Sequence, residues 1–305
     1  MDKFSRRHLR VKNMSIGIVG HGYVGKATSL LGCKTESAQG AQVQVLINDL
    51  DPVADYVGEN CGYTQYLSKL ADCNLIFVSV PTPSHPDGSC CTDIVEEVIG
   101  KLKIHAEGVP IVVRSTVPVG FCKEHGVNFM PEFLTEKNWK DDFINCKDWI
   151  VGTYNPTDLN FKELAHNLFR IAHKQGKLAH PPTLHFVDTN TAELCKYVRN
   201  CFLATKVSFF NEMASFCKTK GVDYDSMKEL VCLDDRIGES HTAVPGPDGK
   251  HGFGGTCFPK DMNSLYAQME KADLKSFLVD AAIIRNLNED RPEQDWKSDK
   301  GRAVV

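Results

Sequence analysis

The chain has no excess of charge of either sign and no long apolar run. Its 35 basic and 39 acidic residues leave a net charge of −4 at pH 7, which provides no field suited to a nucleic acid or an anionic membrane surface. No apolar stretch approaches the ~20 residues that a membrane-spanning helix needs. We therefore expect neither nucleic acid nor membrane among its partners.

The sequence also lacks a secretory signal and a zinc-binding pattern. The first 13 residues carry five basic side chains and no apolar core, which excludes a secretory signal and leaves only weak grounds for a transit peptide. The 12 cysteines therefore indicate thiols in a reducing compartment. None of them shares with histidine a spacing typical of zinc. We predict a cytoplasmic protein without a metal site.

Neither repeats nor low-complexity tracts occur, and 305 residues of average composition suffice for one large or two ordinary domains. Short apolar segments alternate with helical patterns over the first two thirds of the chain. The predicted strands are 15–19, 43–47, 74–80, 110–114, 127–130, 149–152 and 183–187, and the clearest helices between them are 92–105 and 157–173. Continuous apolar strands separated by helices are typical of a doubly wound parallel sheet, which binds ligands at the carboxyl ends of its strands.

A glycine-rich turn follows the first predicted strand. Residues 20–25 read GHGYVG and open a predicted helix, and the next strand leads to Asp49. In dinucleotide-binding folds such glycines let a pyrophosphate lie over the helix N-terminus, and the acid binds the ribose. A carboxylate there repels a 2′-phosphate, so we predict NAD rather than NADP. The residues assigned to the cofactor in this segment are Gly20, Gly22, Tyr23, Val24, Gly25 and Asp49.

A second glycine-rich segment, residues 251–261, reads HGFGGTCFPKD and carries the thiol of Cys257. Glycines let backbone amides approach a ligand, and a nearby cation or a helix N-terminus activates a thiol as a nucleophile. Lys260 is the candidate cation, and Asp261 precedes an apolar-periodic stretch that indicates the start of a helix. The alternative interpretation is a structural cysteine in a plain loop.

Residues 188–220 have the pattern of one long helix of about 45 Å, longer than a small domain needs. Asp188 or Thr189 can cap it. Lys196 and Asn200, one turn apart, share a face. Apolar positions recur at Leu194, Val198, Phe202, Phe209, Met213 and Phe216. Two further amphipathic helices are predicted at 262–272 and 276–287.

Six ordered motifs between residues 15 and 287 resemble those of the UDP-glucose 6-dehydrogenase family. They include the two glycine-rich segments, ELCKYVRN at 193–200, and the strand-end loops SVPTP, STVPVG and PEFLTE at 79–83, 115–120 and 131–136. The resemblance implies four-electron, NAD-dependent oxidation of UDP-glucose to UDP-glucuronate through a thiohemiacetal and a thioester on Cys257. Alternatives are a dehydrogenase of another nucleotide sugar, such as GDP-mannose or a UDP-N-acetylhexosamine, and a weakly active or non-catalytic module that binds NAD or a nucleotide sugar.

The same resemblance implies roles for individual residues. Lys196 and Asn200 are expected to bind the reacting oxygen, and Asp261 and Glu132 to handle protons and water. Thr82, Thr116 and Glu136 are expected to approach the NAD, with Thr116 close to the chemistry. Residues expected to contact the nucleotide sugar are Phe133, Leu134, Lys196, Asn200, Phe253, Gly254, Lys260 and, across a dimer, Arg236.

The resulting fold class is α/β: a Rossmann-like doubly wound parallel sheet, a long connecting helix and a small all-α dimerisation and substrate domain. We assign residues 1–13 to a basic extension, 14–187 to the NAD-binding domain, 188–221 to the helix, 222–290 to the helical domain and 291–305 to a polar tail. A homodimer or higher homo-oligomer is expected. Two departures from the family stand out. The third domain that covers the UDP is expected to be missing, and Ala54 replaces a basic residue beside the adenosine ribose.

Overall fold

The computed structural model describes residues 13–35, 40–52, 56–135 and 137–305. The chain divides into two compact units. The sheet unit comprises Met1–Val80, Ile94–Ser115 and Val119–Glu193. The helical unit comprises Pro81–Asp93, Thr116–Pro118 and Leu194–Val305. The helical unit thus includes two strand-end loops from the predicted NAD-binding domain.

Eight strands form one sheet among the described residues of the sheet unit. They are β1 (Asn13–Val19), β2 (Gln42–Asn48), β3 (Cys61–Tyr63), β4 (Leu75–Val78), β5 (Ile111–Val113), β6 (Asn128–Phe129), β7 (Asp148–Thr153) and β8 (Thr183–Asp188). Their order is β3-β2-β1-β4-β5-β6-β7-β8. The chain order reverses beside β1, as in a doubly wound sheet, and the predicted Rossmann-like fold is confirmed.

The helices that connect these strands are α1 (Tyr23–Ser29), α2 (Asp93–His105), α3 (Phe121–Glu124), α4 (Trp139–Ile144) and α5 (Leu159–Lys174). β1 and β2 pair in parallel over seven residues each, and Ile16, Ile18 and Val45 are fully buried. Trp149 packs between Phe143 and Phe169, with ring centroids 5.0 and 4.6 Å away. Each fully buried side chain of this size contributes roughly 1.5–3 kcal/mol.

The sheet differs from the prediction in the direction of its last two strands. β7 pairs antiparallel with β6, and β8 runs parallel to β7. The β6–β7 pairing joins Phe129 to Gly152. A Cβ on Gly152 would lie 2.8 Å from Cβ of Ala192 and 3.3 Å from Cβ of Phe129, so glycine permits this close approach. Apolar periodicity predicts where a strand lies and carries no information on its direction.

The helical unit is built on the long helix α6 (Thr189–Lys220), which is followed by α7 (Tyr224–Cys232), α8 (Phe258–Lys271) and α9 (Phe277–Arg285). The 32 residues of α6 span about 48 Å. Asp188 caps it by accepting a hydrogen bond of 3.0 Å from the backbone N–H of Thr191. Gly221, with φ +66°, follows its end. The capping and length predicted for this helix are confirmed.

The apolar positions predicted along α6 are largely not in the core of the chain. Phe202, Phe209 and Phe216 are 66%, 56% and 55% exposed, and Leu194 and Val198 are exposed as well. The core side of α6 instead carries Tyr197, Cys201 and Ala204, which pack with residues of α8 and α9. The exposed side is thus an apolar stripe, which we call the α6 stripe, consisting of Leu194, Val198, Phe202, Phe209 and Phe216.

Residues 291–305 differ from the predicted polar tail. Arg291, Trp296 and Ala303 are buried. A turn of π-helix at Asn286–Asp290 precedes this segment, and a 3₁₀ turn at Asp295–Ser298 lies within it. The backbone N–H groups of Ser84 and Val305 donate to the carbonyl oxygens of Ala303 and Ser84, each at 3.0 Å. The charged residues of this segment can be buried because they pair with one another. Composition alone does not reveal such pairing.

Candidate active site

The glycine-rich turn between β1 and α1 requires glycine at two positions for different reasons. Gly20 has φ +87°, and a Cβ there would lie 2.7 Å from the carbonyl oxygen of Ser79. A Cβ on Gly25 would lie 2.0 Å from the carbonyl oxygen of Gly20. The turn can therefore close against β4 and against the start of α1 only with these glycines.

Gly22 is different because it faces open space. A Cβ added to it would meet nothing within 4 Å, and Gly22 occupies the position immediately before α1. The first N–H groups of a helix lack partners within the helix, so this open face suits a phosphate. The turn therefore fits the pyrophosphate of NAD.

Asp49 lies beside the same turn. Its Oδ2 accepts a hydrogen bond of 2.5 Å from the backbone N–H of His21. The hydroxyl of Tyr63, on the edge strand β3, donates to the Asp49 carbonyl oxygen at 3.2 Å. The carboxylate is thus held at the carboxyl end of β2, next to the glycines. The sequence predicts Asp49, whereas Tyr63 lies on a strand that it does not predict.

Glu132 belongs to a second polar cluster of the sheet unit. The hydroxyl of Tyr23 donates to Glu132 Oε1 at 3.5 Å, and Glu132 Oε2 accepts from the backbone N–H of Leu134 at 2.9 Å. Leu134 therefore already uses its N–H within the protein. Arg114 is buried and donates from Nη1 to Thr28 Oγ1 at 2.9 Å. Burial lowers the pKa of Arg114 to about 10, although the charge of Glu132 opposes this.

Glu193 fixes the loop after β5 in the sheet unit. Its carboxylate is fully buried and accepts hydrogen bonds from the backbone N–H groups of Gly120 at 2.6 Å and Cys122 at 2.8 Å. Burial raises the pKa of Glu193, and burial together with the charge of Glu193 raises the pKa of the Cys122 thiol. Sequence reasoning missed this contact, because a glutamate inside a helix is usually solvated.

Thr82 and Thr116, both expected near the NAD, lie in the helical unit around Cys90. The Cys90 thiol donates to the carbonyl oxygen of Thr116 at 3.4 Å. Burial raises the pKa of Cys90; the charge of Lys260 and a hydrogen bond with the Thr82 side chain oppose this rise. The Cys90 thiol thus interacts with the loops that carry Thr82 and Thr116 and also with the charge of Lys260. Glu136 and Ala54 lie outside the described residues.

The buried carboxylate of Asp261 is the centre of the helical unit's polar cluster. Asn200 Nδ2 donates to Asp261 Oδ2 at 2.6 Å, and Lys260 Nζ donates to Oδ1 at 2.9 Å. Burial lowers the pKa of Lys260, but the Asp261 carboxylate, with smaller contributions from Cys90 and Cys257, outweighs burial and raises it. Lys260 therefore stays protonated.

Lys196 and Asn200 lie one turn apart on α6, and both are buried. Between them, the buried Tyr197 hydroxyl makes a hydrogen bond of 2.9 Å with Ser264 Oγ on α8. This bond fixes α6 against α8, which carries Lys260 and Asp261. The structure thus brings together Asn200, Lys260 and Asp261, which are more than sixty residues apart in sequence at their widest.

Cys257 occupies the position before the first residue of α8, so the helix begins at Phe258 rather than at Asp261. The Cys257 carbonyl oxygen accepts from the Asp261 N–H at 2.8 Å, and the half-buried thiol lies 3.9 Å from Thr256 Oγ1. A helix N-terminus favours a thiolate. Lys260, predicted to activate the thiol, binds Asp261 directly, and its electrostatic interaction with Cys257 is the smaller one.

Two buried asparagines hold the loop that leads to Cys257. Asn286 accepts from the Phe253 N–H at 2.8 Å and donates to its carbonyl oxygen at 2.9 Å. Asn211, on α6, accepts from the N–H of Gly252 at 3.1 Å. Phe253 itself is buried in the core, and Asn286 already binds both of its backbone groups, so its geometry suits a structural role rather than the substrate contact expected from the resemblance. Sequence reasoning missed both asparagines, which carry no motif.

Arg236 does not join the buried cluster in the single chain. Its side chain is 89% exposed, and it binds Asp234 through Nε at 2.9 Å and Nη2 at 2.6 Å. Lys206 holds the same loop by donating to the carbonyl oxygens of Ile237 at 2.7 Å and Gly238 at 3.1 Å. A planar guanidinium on a fixed, exposed loop is available to a neighbouring molecule.

The described residues include no group of three or more His, Cys, Asp and Glu side chains able to hold a metal ion. None of the described helices combines the length and the apolarity that crossing a membrane requires. The 12 cysteines all lie in the described part of the chain, and no disulfide joins any two of them.

Comparison with known proteins identifies two family domains along the chain. Residues 14–173 match the NAD binding domain of the UDP-glucose/GDP-mannose dehydrogenase family, and residues 190–289 match its central domain. The UDP-glucose 6-dehydrogenase of Rickettsia bellii is 34% identical over 239 residues, covering 74% of this chain and 52% of the relative. That of Rickettsia felis is 30% identical over 304 residues, covering 90% and 64%. The chain therefore spans about half to two thirds of the length of these relatives.

Solved structures show the same fold. A UDP-glucose dehydrogenase from Pyrobaculum islandicum aligns with a TM-score of 0.73 and 26% identity, covering 90% of this chain and 68% of that one. A UDP-D-ManNAc dehydrogenase from Pyrococcus horikoshii aligns with a TM-score of 0.71 at 19% identity over the same shares. With the NAD binding domain and the central domain both matched and in order, this chain belongs to the UDP-glucose/GDP-mannose dehydrogenase family.

Proposed function

We propose that the chain oxidises the primary alcohol of UDP-glucose to the carboxylate of UDP-glucuronate, with Cys257 as covalent nucleophile. The observation that supports this most directly is the buried Asn200–Asp261–Lys260 cluster one helical turn after the thiol. A thiol at a helix start is suited to add to an aldehyde. A buried carboxylate held by an amide and a cation is suited to move the protons of that reaction.

Bound NAD supplies the hydride acceptor for both oxidations, one molecule for each. In the first stage, Asp261, acting through a water molecule, takes the proton from the substrate hydroxyl, and the carbon becomes an aldehyde. The Cys257 thiolate then adds to the aldehyde carbon and forms a thiohemiacetal. Lys196 and Asn200 stabilise the negative charge on its oxygen.

The second stage turns the thiohemiacetal into a thioester, with loss of a second hydride and of the hydroxyl proton. Water directed by Glu132 or Asp261 attacks the thioester carbon, the C–S bond breaks, and the thiol is released with the carboxylate product. The covalent thioester explains how the reaction proceeds to the acid instead of releasing an aldehyde. Overall, one alcohol, one water and two NAD⁺ yield one carboxylate, two NADH and three protons.

For the substrate, Phe133 and Leu134 are proposed to offer backbone groups, and Gly254 and Lys260 to contact the nucleotide sugar. Thr82, Thr116 and Glu136 are proposed to approach the NAD. The preference for NAD over NADP rests on Asp49, whose fixed carboxylate repels a 2′-phosphate. An NAD-binding domain at 14–187, a connecting helix at 188–221 and a helical domain from 222 stay part of this proposal.

We further propose a homodimer or higher homo-oligomer in the cytoplasm. The α6 stripe supports it, because five large apolar side chains along one helix form a surface that monomers rarely expose. The exposed Arg236 is then available to a substrate bound in the neighbouring subunit.

The experiment is to measure reduced cofactor formed with a panel of nucleotide sugars, and to quantify the acid product. The proposal predicts two NADH for each UDP-glucuronate and little turnover of GDP-mannose or of UDP-N-acetylhexosamines. If one of those sugars is turned over faster than UDP-glucose, that sugar is the substrate instead. NAD binding without any reduction, by a folded protein, would favour a binding module.

A further inference from the structure

We infer that Arg291 is a positioning residue that holds the Cys257 loop (residues 251–257) in place through direct packing against Gly254. The inference rests on the proposed function, because it assumes that the position of Cys257 matters for chemistry. Arg291 belongs to the segment 291–305, and no sequence motif includes it.

Arg291 is only 3% exposed and has two acidic partners. Its Nε and Nη2 bind the two carboxylate oxygens of Asp295 at 2.7 and 2.8 Å, and Nη2 also lies 2.7 Å from Asp248 Oδ2. Asp248 stands just before the Cys257 loop, and Asp295 follows Arg291 in a 3₁₀ turn. The guanidinium is therefore held in one plane between two parts of the chain.

Gly254 lies directly against this plane. A Cβ built on Gly254 would be 2.3 Å from Cζ of Arg291 and 2.6 Å from Nη1 and Nη2. The backbone of Gly254 does not have a positive φ, so its conformation alone would accept alanine. The guanidinium is what excludes a side chain there, and the loop backbone rests on it.

Neighbouring contacts fasten the same stretch. Lys250 binds Asp295 at 2.8 Å, and Asn286 binds both backbone groups of Phe253. Residues 248–254 are thus tied to residues 286–295 at successive points, and the thiol follows only three residues after Gly254. Gly255, with φ +70°, lies between and has no Cβ contact to limit it, so Gly254 holds the chain on the N-terminal side of the thiol while α8 holds it on the other side.

A displacement of a nucleophile by about 1 Å can lower a rate by about 100-fold. Lysine at position 291 keeps the charge but cannot bind two carboxylates in one plane or present a flat surface to Gly254. Loss of Arg291 should therefore lower the reactivity of the thiol and leave cofactor binding unchanged, because the glycine turn assigned to the cofactor belongs to the sheet unit.

The test compares Arg291→Lys and Arg291→Met with a control, Arg302→Met, which removes a half-exposed arginine bonded to Asp299 in the same segment. We expect kcat to fall about 100-fold in both Arg291 variants, with KM for NAD changed less than twofold. We also expect the rate at which iodoacetamide alkylates Cys257, followed by peptide mass spectrometry, to fall about tenfold. The control should match the wild type in all three.

A folded Arg291→Met with wild-type kcat and wild-type alkylation of Cys257 would overturn the inference. If the Arg291 variants do not fold, Gly254→Ala replaces them, with Gly100→Ala on α2 as control, since a Cβ at Gly100 meets nothing within 4 Å. Gly254→Ala should slow alkylation similarly, and unchanged alkylation would reject the role of Arg291. If the wild type forms no NADH at all, the proposed function fails, whereas the alkylation rates still decide the role of Arg291.

Discussion

Asn200 and Lys260 bind opposite oxygens of the Asp261 carboxylate, at 2.6 and 2.9 Å, in a buried site. Asn200 comes from the long helix α6, and the other two from the first turn of α8. Such a pair holds the carboxylate in one orientation with its charge balanced. A carboxylate held in one orientation, one helical turn after the thiol, is what a base acting through water needs.

Asp261→Asn tests that assignment, because it keeps the shape and removes the charge. We expect kcat to fall by roughly 10²–10⁴-fold, the usual contribution of a general base. Steady-state kinetics with saturating NAD measures it. Asp273→Asn, at an exposed position after α8, is the control and should leave kcat unchanged. An Asp261→Asn enzyme within threefold of the wild type would remove Asp261 from the mechanism.

Lys260→Met tests the structural half of the same contact. It leaves the buried Asp261 charge without its cation, so we expect the free energy of unfolding to fall by about 3–5 kcal/mol. Urea denaturation followed by circular dichroism measures this. Lys101→Met, which breaks an exposed ion pair with Glu97, should cost less than about 1 kcal/mol. An equal decrease in the free energy of unfolding in the two variants would mean that the buried pair stabilises the fold no more than the exposed pair does.

Asp49→Asn tests the cofactor preference. The carboxylate beside the His21 N–H repels a 2′-phosphate, and asparagine keeps the hydrogen bond without the charge. We expect weaker NAD binding and a measurable affinity for NADP, both by calorimetry. Wild-type protein that binds NADP as tightly as NAD would show that Asp49 does not select the cofactor.

Sequence reasoning identified the fold class, the glycine turn with Asp49, and the long helix with Lys196 and Asn200. These features are local, or they follow from motifs of characteristic spacing. It did not identify the direction of β7 and β8, or the burial of Arg291 and Trp296. Strand direction depends on contacts with the neighbouring strands, which the pattern of a single strand does not record. The pairing of Arg291 with Asp295 joins two residues that belong to no recognised motif.

The α6 stripe shows a related limit. Periodicity marked Phe202, Phe209 and Phe216 as apolar positions of a helix, which is correct, but it cannot tell a face that packs within the chain from one left exposed. Asn211 and Asn286 were missed because a buried asparagine that binds backbone groups has no sequence signature.

Mixing inactive variants tests the proposed assembly. Arg236→Ala and Cys257→Ala subunits should each be inactive alone, and a heterodimer should regain activity because it forms one complete composite site. Light scattering should give at least a dimer at micromolar concentration. Phe209→Glu, in the α6 stripe, should shift the protein towards monomer, whereas Lys123→Glu on α3 should not. A monomeric wild type with full activity would contradict shared sites.

Cys257→Ser tests whether Cys257 forms the covalent intermediate. Serine can form the corresponding oxygen ester, which hydrolyses far more slowly than a thioester, so the acyl stage should accumulate. The measurement is intact-protein mass spectrometry after incubation with UDP-glucose and NAD. We expect an added mass of one UDP-glucuronyl group on the Cys257→Ser protein, located to residue 257 by peptide mapping. Steady-state NADH formation should be nearly abolished. Wild-type NADH formation by Cys257→Ser, with no added mass, would contradict the covalent role of Cys257.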